Sequence, residues 1–205
     1  MPKADALLLV GPTGSGKTPL GERIERRGLG GCRCVHFDFG AQLRRVPAAG
    51  AHGRLTDDDV AFVRSVLQTG ALLEDEHFPI AERILRTFLA ERSVGPGDLV
   101  VLNGLPRHAG QARDVERIVT VGRVIELACT TETILARIRT DAGGDRAGRV
   151  DDDAPAVRRK LALYAARTAP LLDHYRAAGV PVDRIVVTPA ATADDVLREL
   201  GRVGA

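Results

Sequence analysis

The chain has 205 residues, which is enough for one domain with a full hydrophobic core. Its 44% hydrophobic and 27% charged residues are typical of a globular protein. The formal net charge is only +2 and aromatic residues make up 3% of the chain, so nucleic-acid binding is disfavoured: there is neither a strong basic field nor a base-stacking platform.

Targeting and redox signals point to the interior of the cell. No apolar run approaches membrane-spanning length, and the N-terminus lacks the layout of a signal peptide, so we expect a cytoplasmic protein without membrane binding. The odd number of cysteines, without zinc-type spacing, predicts reduced thiols at Cys32, Cys34 and Cys129. The five histidines are scattered and show no metal-ligand spacing.

Apolar runs alternate with helical segments along the whole chain. The runs predict five strands, at 6–10, 32–37, 98–102, 123–127 and 185–187. Strands separated by helices predict right-handed parallel βαβ units, and therefore an α/β fold: a three-layer α/β/α arrangement with a five-stranded parallel sheet. Ligands of such a sheet bind at the carboxyl ends of the strands.

Two segments depart from this alternation. Residues from Asp38 to about Glu91 form a helical excursion between the second and third strands. Residues 140–150 are rich in Gly, Asp and Arg without apolar periodicity, which predicts an exposed, mobile loop. A long helix is predicted after it, with acidic residues in its first turn and an end at Gly179.

A phosphate-binding pattern follows the first strand. Residues 11–18 match G-x-x-x-x-G-K-[ST], a strand-to-helix loop whose backbone N–H groups surround phosphate oxygens. The unpaired N–H groups of the following helix favour the same anion. Lys17 would reach the β- and γ-phosphates of a triphosphate, and the Thr18 hydroxyl would bind Mg²⁺. The predicted contacts of this loop are Gly11, Thr13, Gly14, Ser15, Gly16, Lys17 and Thr18.

Arginines are the natural partners of a transferring phosphoryl group, because their charge is permanent and their planar shape matches phosphate oxygens. Most of the arginines lie on predicted helices and are expected to face solvent. The better candidates follow a strand or border the mobile loop. These are Arg107, Arg139, Arg146 and Arg149.

Several motifs together resemble the adenylate kinase family of nucleoside monophosphate kinases, along nearly the whole chain. Residues 11–18 match the ATP-phosphate loop of that family. Residues 36–44 resemble the family segment H-[IL]-S-[TA]-G-D-x-[IL]-R, and residues 70–73 resemble G-x-[IL]-[VIL]. Residues 103–111 resemble D-G-[FY]-P-R-x-x-x-Q. Arg139 together with residues 148–153 resembles the short-lid pattern R…G-R-x-D-D-N.

The resemblance implies an organisation and a reaction. It implies a single P-loop kinase domain with a core at 1–37, 92–139 and 154–205, an acceptor-binding excursion at about 38–91 and a short lid at about 140–153. ATP with Mg²⁺ would be the phosphoryl donor and a nucleoside monophosphate the acceptor. A monomer is expected, since the lid and the acceptor-binding segment must both move.

The resemblance also implies roles for individual residues. Lys17, Arg139, Arg149 and Lys160 would act in transfer, with Arg139 also binding ATP. The acceptor would be bound by Phe39, Arg44, Gly104, Arg107, Gln111 and Arg149. The Gln111 amide would read the edge of the acceptor base.

The chain departs from the family pattern at several of these positions. Phe39 stands where the family has a small residue, and Ala41 replaces an aspartate. Asn103 replaces the aspartate that helps to hold magnesium through water; its neutral amide would still orient such a water, and Asp38 is a candidate for the missing carboxylate. Lys160 stands at an arginine position, where neighbouring Arg159 is an alternative.

These departures leave two alternatives to a nucleoside monophosphate kinase. Asp38 resembles an acidic position of shikimate- and gluconate-type kinases, in which a carboxylate assists an acceptor hydroxyl, so another small molecule is one possible acceptor. The missing carboxylates at Ala41 and Asn103 suggest instead a nucleotide-binding regulatory module with little turnover.

Overall fold

One parallel sheet forms the centre of the protein. The computed structural model describes residues 3–47, 55–145 and 154–203. Within them the sheet has the order β2-β3-β1-β4-β5 with every pair of neighbours parallel, which confirms the predicted fold class. The strands are β1 (Ala4–Val10), β2 (Cys34–Asp38), β3 (Leu99–Asn103), β4 (Val119–Ala128) and β5 (Val182–Val186).

Helices connect the strands on both sides of the sheet. They are α1 (Lys17–Arg27), α2 (Phe39–Arg45), α3 (Asp57–Thr69), α4 (Phe78–Glu91), α5 (Ala109–Val115), α6 (Thr131–Arg139), α7 (Ala154–Leu163), α8 (Leu171–Ala177) and α9 (Ala193–Val203). A 3₁₀ turn (Asp75–His77) precedes α4, and a π-helical turn (Tyr164–Thr168) joins α7 to α8. Among the described residues, no helix combines the length and the apolar character that crossing a membrane requires.

The side chains of β1 show why the fold has three layers. Ala6, Leu8 and Val10 belong to one buried hydrophobic cluster, whereas Leu7 and Leu9 belong to another. Successive side chains of a strand point to opposite faces, so each cluster covers one face of the sheet. Helices α2 to α5 and α8 contribute to the first cluster, and α1 and α9 contribute to the second.

The ends of the elements differ from the sequence prediction by a few residues. Strand β2 begins at Cys34, because Cys32 lies in a turn that bridges back to Leu29. Strand β4 is longer than predicted and contains a bulge at Gly122: Ala6 pairs with Val121 while Leu7 pairs with Arg123. The predicted long helix is interrupted by the π-helical turn, and its last helix, α8, ends at Ala177.

The order of the strands places the functional motifs at one edge of the sheet. The central strand β1 lies between β3 and β4. The connection after β1 leads past β3 to β2, whereas the connection after β3 leads past β1 to β4, so the two connections leave neighbouring strands in opposite directions. Such a divergence forms a crevice at the carboxyl ends of the strands. Residues 11–18, 38–44 and 103–111 all follow the strands that surround this crevice.

Candidate active site

The loop after β1 has a conformation that requires glycine. Gly14 and Gly16 have φ angles of +77° and +96°, which residues with a Cβ atom rarely adopt. Gly11 makes a close approach, because a Cβ atom there would lie 2.8 Å from the carbonyl oxygen of Leu127. The loop therefore turns sharply into α1 with its backbone exposed toward the cleft, as its sequence pattern predicts.

Lys17 lies across the mouth of this loop. Its Nζ atom donates hydrogen bonds to the carbonyl oxygens of Gly11 at 2.7 Å and of Pro12 at 2.8 Å. Thr13, Gly14 and Gly16 line the same cleft. Ser15 is only 1% exposed, and its hydroxyl has no hydrogen-bond partner among the described residues. The loop thus holds a cation beside backbone groups suited to an anion.

Thr18, Asp38 and Asn103 form a hydrogen-bonded triangle beside the loop. The Thr18 hydroxyl donates to Oδ2 of Asp38 at 2.7 Å. Nδ2 of Asn103 donates to the same carboxylate oxygen at 3.0 Å and to Oγ1 of Thr18 at 3.1 Å. Asp38 and Asn103 are paired residues at the ends of β2 and β3, so the sheet register brings them together. Thr18 and Asp38 thus place oxygen atoms where a hard cation would bind, and Asn103 holds them with its amide N–H groups.

Arg107 lies in the loop between β3 and α5 and lines the same cleft. It is half-buried, and no acidic group pairs with its guanidinium among the described residues. Burial alone lowers the pKa of Arg107 from its ordinary value. A guanidinium in this position is suited to an anion that enters the cleft.

Gln111 is buried beneath this loop, at 1% exposure. Its Oε1 atom accepts a hydrogen bond from the backbone N–H of Arg107 at 2.9 Å, and its Nε2 atom donates to the carbonyl oxygen of Leu73 at 2.8 Å. An amide side chain has two donors and two acceptor lone pairs, so one of each remains. In this structure, therefore, Gln111 connects the Arg107 loop to the segment after α3.

The remaining acceptor-side candidates form a largely apolar wall. Phe39 is 3% exposed, and its ring lies 6.1 Å from that of Phe37. Gly104 has a φ of +83°, and a Cβ atom there would approach Cβ of Phe39 at 3.7 Å. Arg44 is exposed in the last turn of α2 and lines the cleft. The apolar side chains along this wall include Leu43, Val66, Leu67 and Leu72.

The predicted transfer residues are only partly brought together. Lys17 and Lys160 line the same cleft. Arg139 is exposed in the last turn of α6 and is not among the described residues that line the cleft. Arg149, like Arg146 and the predicted aspartates at 151–153, lies outside the described residues. The roles proposed for Arg139 and Arg149 stay predictions.

Arg137 is a site residue that the sequence interpretation missed. It is 4% exposed, and its Nε atom donates to the carbonyl oxygen of Gly14 at 3.1 Å. Its Nη1 atom donates to the carbonyl oxygens of Thr188 at 2.9 Å and Ala191 at 2.8 Å. Helical phase was the available signal, since Arg137 follows buried Ile134 by three residues and shares its face. Burial lowers the pKa of Arg137.

Comparison with known proteins points to one family. An adenylate kinase of Stenotrophomonas maltophilia (strain R551-3) is 32% identical over 179 residues, which are 84% of this chain and 86% of that protein. One from Parvibaculum lavamentivorans is 30% identical over 84% of this chain and 80% of its own length. One from Xanthomonas campestris pv. campestris (strain 8004) is 29% identical over 96% and 97%. No protein-family model matches the chain.

Proposed function

This chain belongs to the adenylate kinase family of nucleoside monophosphate kinases and is a phosphotransferase, and we propose that it transfers the γ-phosphoryl group of ATP to a nucleoside monophosphate. One observation carries the proposal: the phosphate loop and the half-buried Arg107, which has no acidic partner among the described residues, line a single cleft. The cleft thus has a separate cationic group for each of two phosphorylated ligands. We also propose that the chain is one kinase domain, with its core, acceptor-binding excursion and lid at the predicted boundaries, and acts as a monomer.

The donor would bind at the loop after β1. Its backbone N–H groups and the N-terminus of α1 favour the triphosphate, and Lys17 would exchange its carbonyl partners for phosphate oxygens. The family generally uses ATP with Mg²⁺, and the oxygen atoms of Thr18 and Asp38 fit that ion. When bound, Mg²⁺ would neutralise charge on the phosphates.

The acceptor would bind between Arg107 and the apolar wall. The guanidinium of Arg107 gains an anionic partner when a monophosphate enters, and exposed Arg44 adds a second cation at the rim. Gln111 keeps one donor and one acceptor for a base edge. Phe39 takes up space beside Gly104, so we propose that it restricts which bases the pocket accepts.

The reaction itself needs charge stabilisation more than acid–base chemistry. The acceptor monophosphate is already an anionic nucleophile, so no general base is required. Lys17, Lys160 and the arginines Arg139 and Arg149 are proposed to stabilise charge on the transferring group and to exclude water. Arg139 precedes the predicted lid and Arg149 lies within it, and both would act only when the lid closes over the phosphates.

The geometry around Asp38 disfavours an acceptor that is phosphorylated on a hydroxyl group. Such an acceptor needs a free carboxylate as base. Oδ1 of Asp38 accepts the backbone N–H of Ala41 at 2.8 Å, and Oδ2 accepts from Thr18 and Asn103. Both oxygens thus accept hydrogen bonds, and we propose that the acceptor capacity left on this carboxylate serves the metal rather than a proton from a hydroxyl group. A regulatory module would bind the nucleotide with little turnover, so measuring phosphoryl transfer to an acceptor distinguishes it from a kinase.

The deciding experiment measures ADP production from ATP and Mg²⁺ against AMP, dAMP, GMP, CMP, UMP and dTMP. We expect turnover with at least one acceptor. Lys17→Ala should lower kcat by about a hundredfold or more, since the lysine contacts the transferring charge. Lys3→Ala is the matched control, because Lys3 is exposed and, among the described residues, its Nζ atom donates to the backbone carbonyl oxygen of Glu116.

The absence of ADP production with all six nucleoside monophosphates would contradict the proposal if the protein still binds ATP with ordinary affinity. That result would favour the nucleotide-binding module, or a kinase of another small molecule. Equal losses in Lys17→Ala and Lys3→Ala would also count against it, because they would show that the effect does not arise at the phosphate loop.

A further inference from the structure

The ends of β2 and β3 carry one carboxylate and one amide side by side. Asp38 and Asn103 are direct register partners on neighbouring strands, and Oδ2 of Asp38 lies 3.0 Å from Nδ2 of Asn103. The same Asp38 oxygen is 2.7 Å from the hydroxyl of Thr18. Either strand end could therefore present a carboxylate to the space in front of Thr18.

In this chain the carboxylate stands at the end of β2, whereas the family pattern has it at the end of the neighbouring strand β3. The D-G-[FY]-P-R pattern has an aspartate at the position of Asn103, and the H-[IL]-S pattern has a serine at the position of Asp38. Two carboxylates at this separation would repel each other, and one would tend to take up a proton. A carboxylate at one of the two strand ends is therefore best paired with a neutral hydrogen-bond donor at the other. This chain has that combination, with the carboxylate at Asp38 and the donor at Asn103.

We propose that Asp38 supplies the carboxylate of the Mg²⁺·ATP site, and that Asn103 is a positioning residue which orients it. The inference rests on the proposed function and deepens it. Mg²⁺ in nucleotide sites is bound through one or two carboxylates together with phosphate oxygens and water. Asp38 and Asp145 are the acidic residues among the described lining of the cleft, and Asp38 is the one hydrogen-bonded to Thr18.

Asp38 is held rigidly enough for this role. It is the N-cap residue of α2, and its Oδ1 atom accepts the N–H of Ala41 at 2.8 Å. That bond fixes the rotation of the carboxylate and leaves Oδ2 directed toward Thr18 and Asn103. Asparagine is an equally good N-cap residue, so Asp38→Asn removes the charge while the helix cap is retained.

The test measures binding of a non-hydrolysable ATP analogue by calorimetry, with and without Mg²⁺. The variants are Asp38→Asn, the exchanged double variant Asp38→Asn/Asn103→Asp, and Asp58→Asn as a control. Asp58 is exposed in the first turn of α3, so it matches the change in charge away from the cleft. Binding of Mn²⁺ in the presence of the analogue, followed by electron paramagnetic resonance, reports the metal site directly.

Asp38→Asn should reduce the Mg²⁺-dependent gain in affinity and the Mn²⁺ affinity by about ten- to a hundredfold. Affinity without a metal should stay the same or increase, because a negative charge near the phosphates is removed. The exchanged variant should recover most of the loss, since it restores one carboxylate to the pair. Asp58→Asn should behave like the wild type.

A full Mg²⁺ effect in Asp38→Asn, or an equal loss in Asp58→Asn, would overturn the inference. Thermal unfolding of each variant establishes that the fold is retained. These measurements use no acceptor, so they are independent of the proposed reaction. A protein that loses Mn²⁺ affinity in Asp38→Asn but phosphorylates no nucleoside monophosphate would refute the proposed function and leave the metal assignment standing.

Discussion

Arg137 donates its Nε–H to the carbonyl oxygen of Gly14 at 3.1 Å, across 123 residues of sequence. The same guanidinium donates to the carbonyl oxygens of Thr188 and Ala191, in the segment after β5. One side chain of α6 therefore joins the phosphate loop to the connection before α9. Its loss should affect both the stability of the protein and the binding of the donor.

Arg137→Lys tests this relationship. A lysine ammonium lacks the planar arrangement that reaches carbonyls on two loops, so some of the buried oxygens lose their donor. Loss of a hydrogen bond to a charged group costs about 2 kcal/mol, so Tm should fall by about 5 °C. The Kd for ATP should rise because the loop loses its anchor. Calorimetry and thermal unfolding measure the two effects.

Arg139→Lys is the comparison on the same helix. Arg139 is exposed, so Tm should be unchanged. If its predicted role in transfer is correct, kcat should fall while Tm stays constant. The opposite assignment, with a large fall in Tm for Arg139→Lys and none for Arg137→Lys, would contradict the structure.

Arg107→Met should separate function from stability. Burial disfavours the charged guanidinium, and no acidic partner among the described residues compensates for it. Replacing such a charge with an apolar side chain of similar length is commonly neutral or stabilising, by about 1 kcal/mol. We therefore expect an unchanged or higher Tm together with a KM for the acceptor raised at least about tenfold. A lower Tm with unaltered acceptor kinetics would show that Arg107 is structural.

Phe39→Thr restores the small side chain of the family pattern. Phe39 is 3% exposed, so truncation should destabilise the protein by about 3 kcal/mol through the cavity that it leaves. The ranking of acceptors in the nucleoside monophosphate panel should change, because the ring lines the pocket. Phe88→Thr is the control: it is 5% exposed and contacts Phe37 from α4 without lining the cleft. A similar change of ranking in both variants would argue against a specific role of Phe39.

Gly21→Ala should destabilise α1, although alanine is usually the better helix former. A Cβ atom at Gly21 would lie 2.3 Å from Cδ2 and from Nε2 of His36, whose ring is buried. The His36 ring, the strand or the helix must shift, which we expect to cost about 2 kcal/mol because the ring is buried. Gly201→Ala in α9 meets nothing within 4 Å and should instead stabilise by about 0.5 kcal/mol. Denaturant unfolding measures the change in the free energy of unfolding for each variant. A change of the same sign in both variants would refute the packing argument.

Asp59 should make the stability of the acceptor-side helices depend on pH. Its carboxylate accepts the N–H of Thr56 at 2.9 Å and an N–H of Arg83 at 2.7 Å. The hydrogen bond from the Thr56 backbone is the largest effect that lowers the pKa of Asp59 below its ordinary value of 3.8, and Arg83 adds to it. The folded state thus binds this proton more weakly than the unfolded chain, so stability is present above the unfolded pKa and is lost as the pH falls through the folded one.

Asp59→Asn tests the direction in which stability depends on pH. The Tm of the wild type should exceed that of the variant by a constant amount above the unfolded pKa of an aspartate, about 3.9, and this difference should shrink as the pH falls below it. Asp57→Asn is a suitable control in the same helical turn, since Asp57 is exposed. A difference that grows toward acidic pH would contradict the assignment.

Local patterns were sufficient for the fold and the phosphate loop. The glycines of the loop, Lys17 and Thr18 would act through backbone conformation and short reach, so their spacing alone predicts a phosphate-binding site. The apolar runs predict five strands and the intervening helices predict a parallel sheet, and the structure confirms both. The resemblance to one family is likewise confirmed, whereas the roles of the individual site residues remain predictions.

Only the tertiary structure decided which side chains meet. The triangle of Thr18, Asp38 and Asn103 depends on β2 lying next to β3 in a particular register, and no local pattern contains that register. Arg137 and Arg139 have the same chemistry and are two residues apart, but the packing of α6 against the loop turns one inward and leaves the other in solvent. Sequence spacing identifies the residue types that a reaction needs, whereas strand order and helix phase select the ones that reach it.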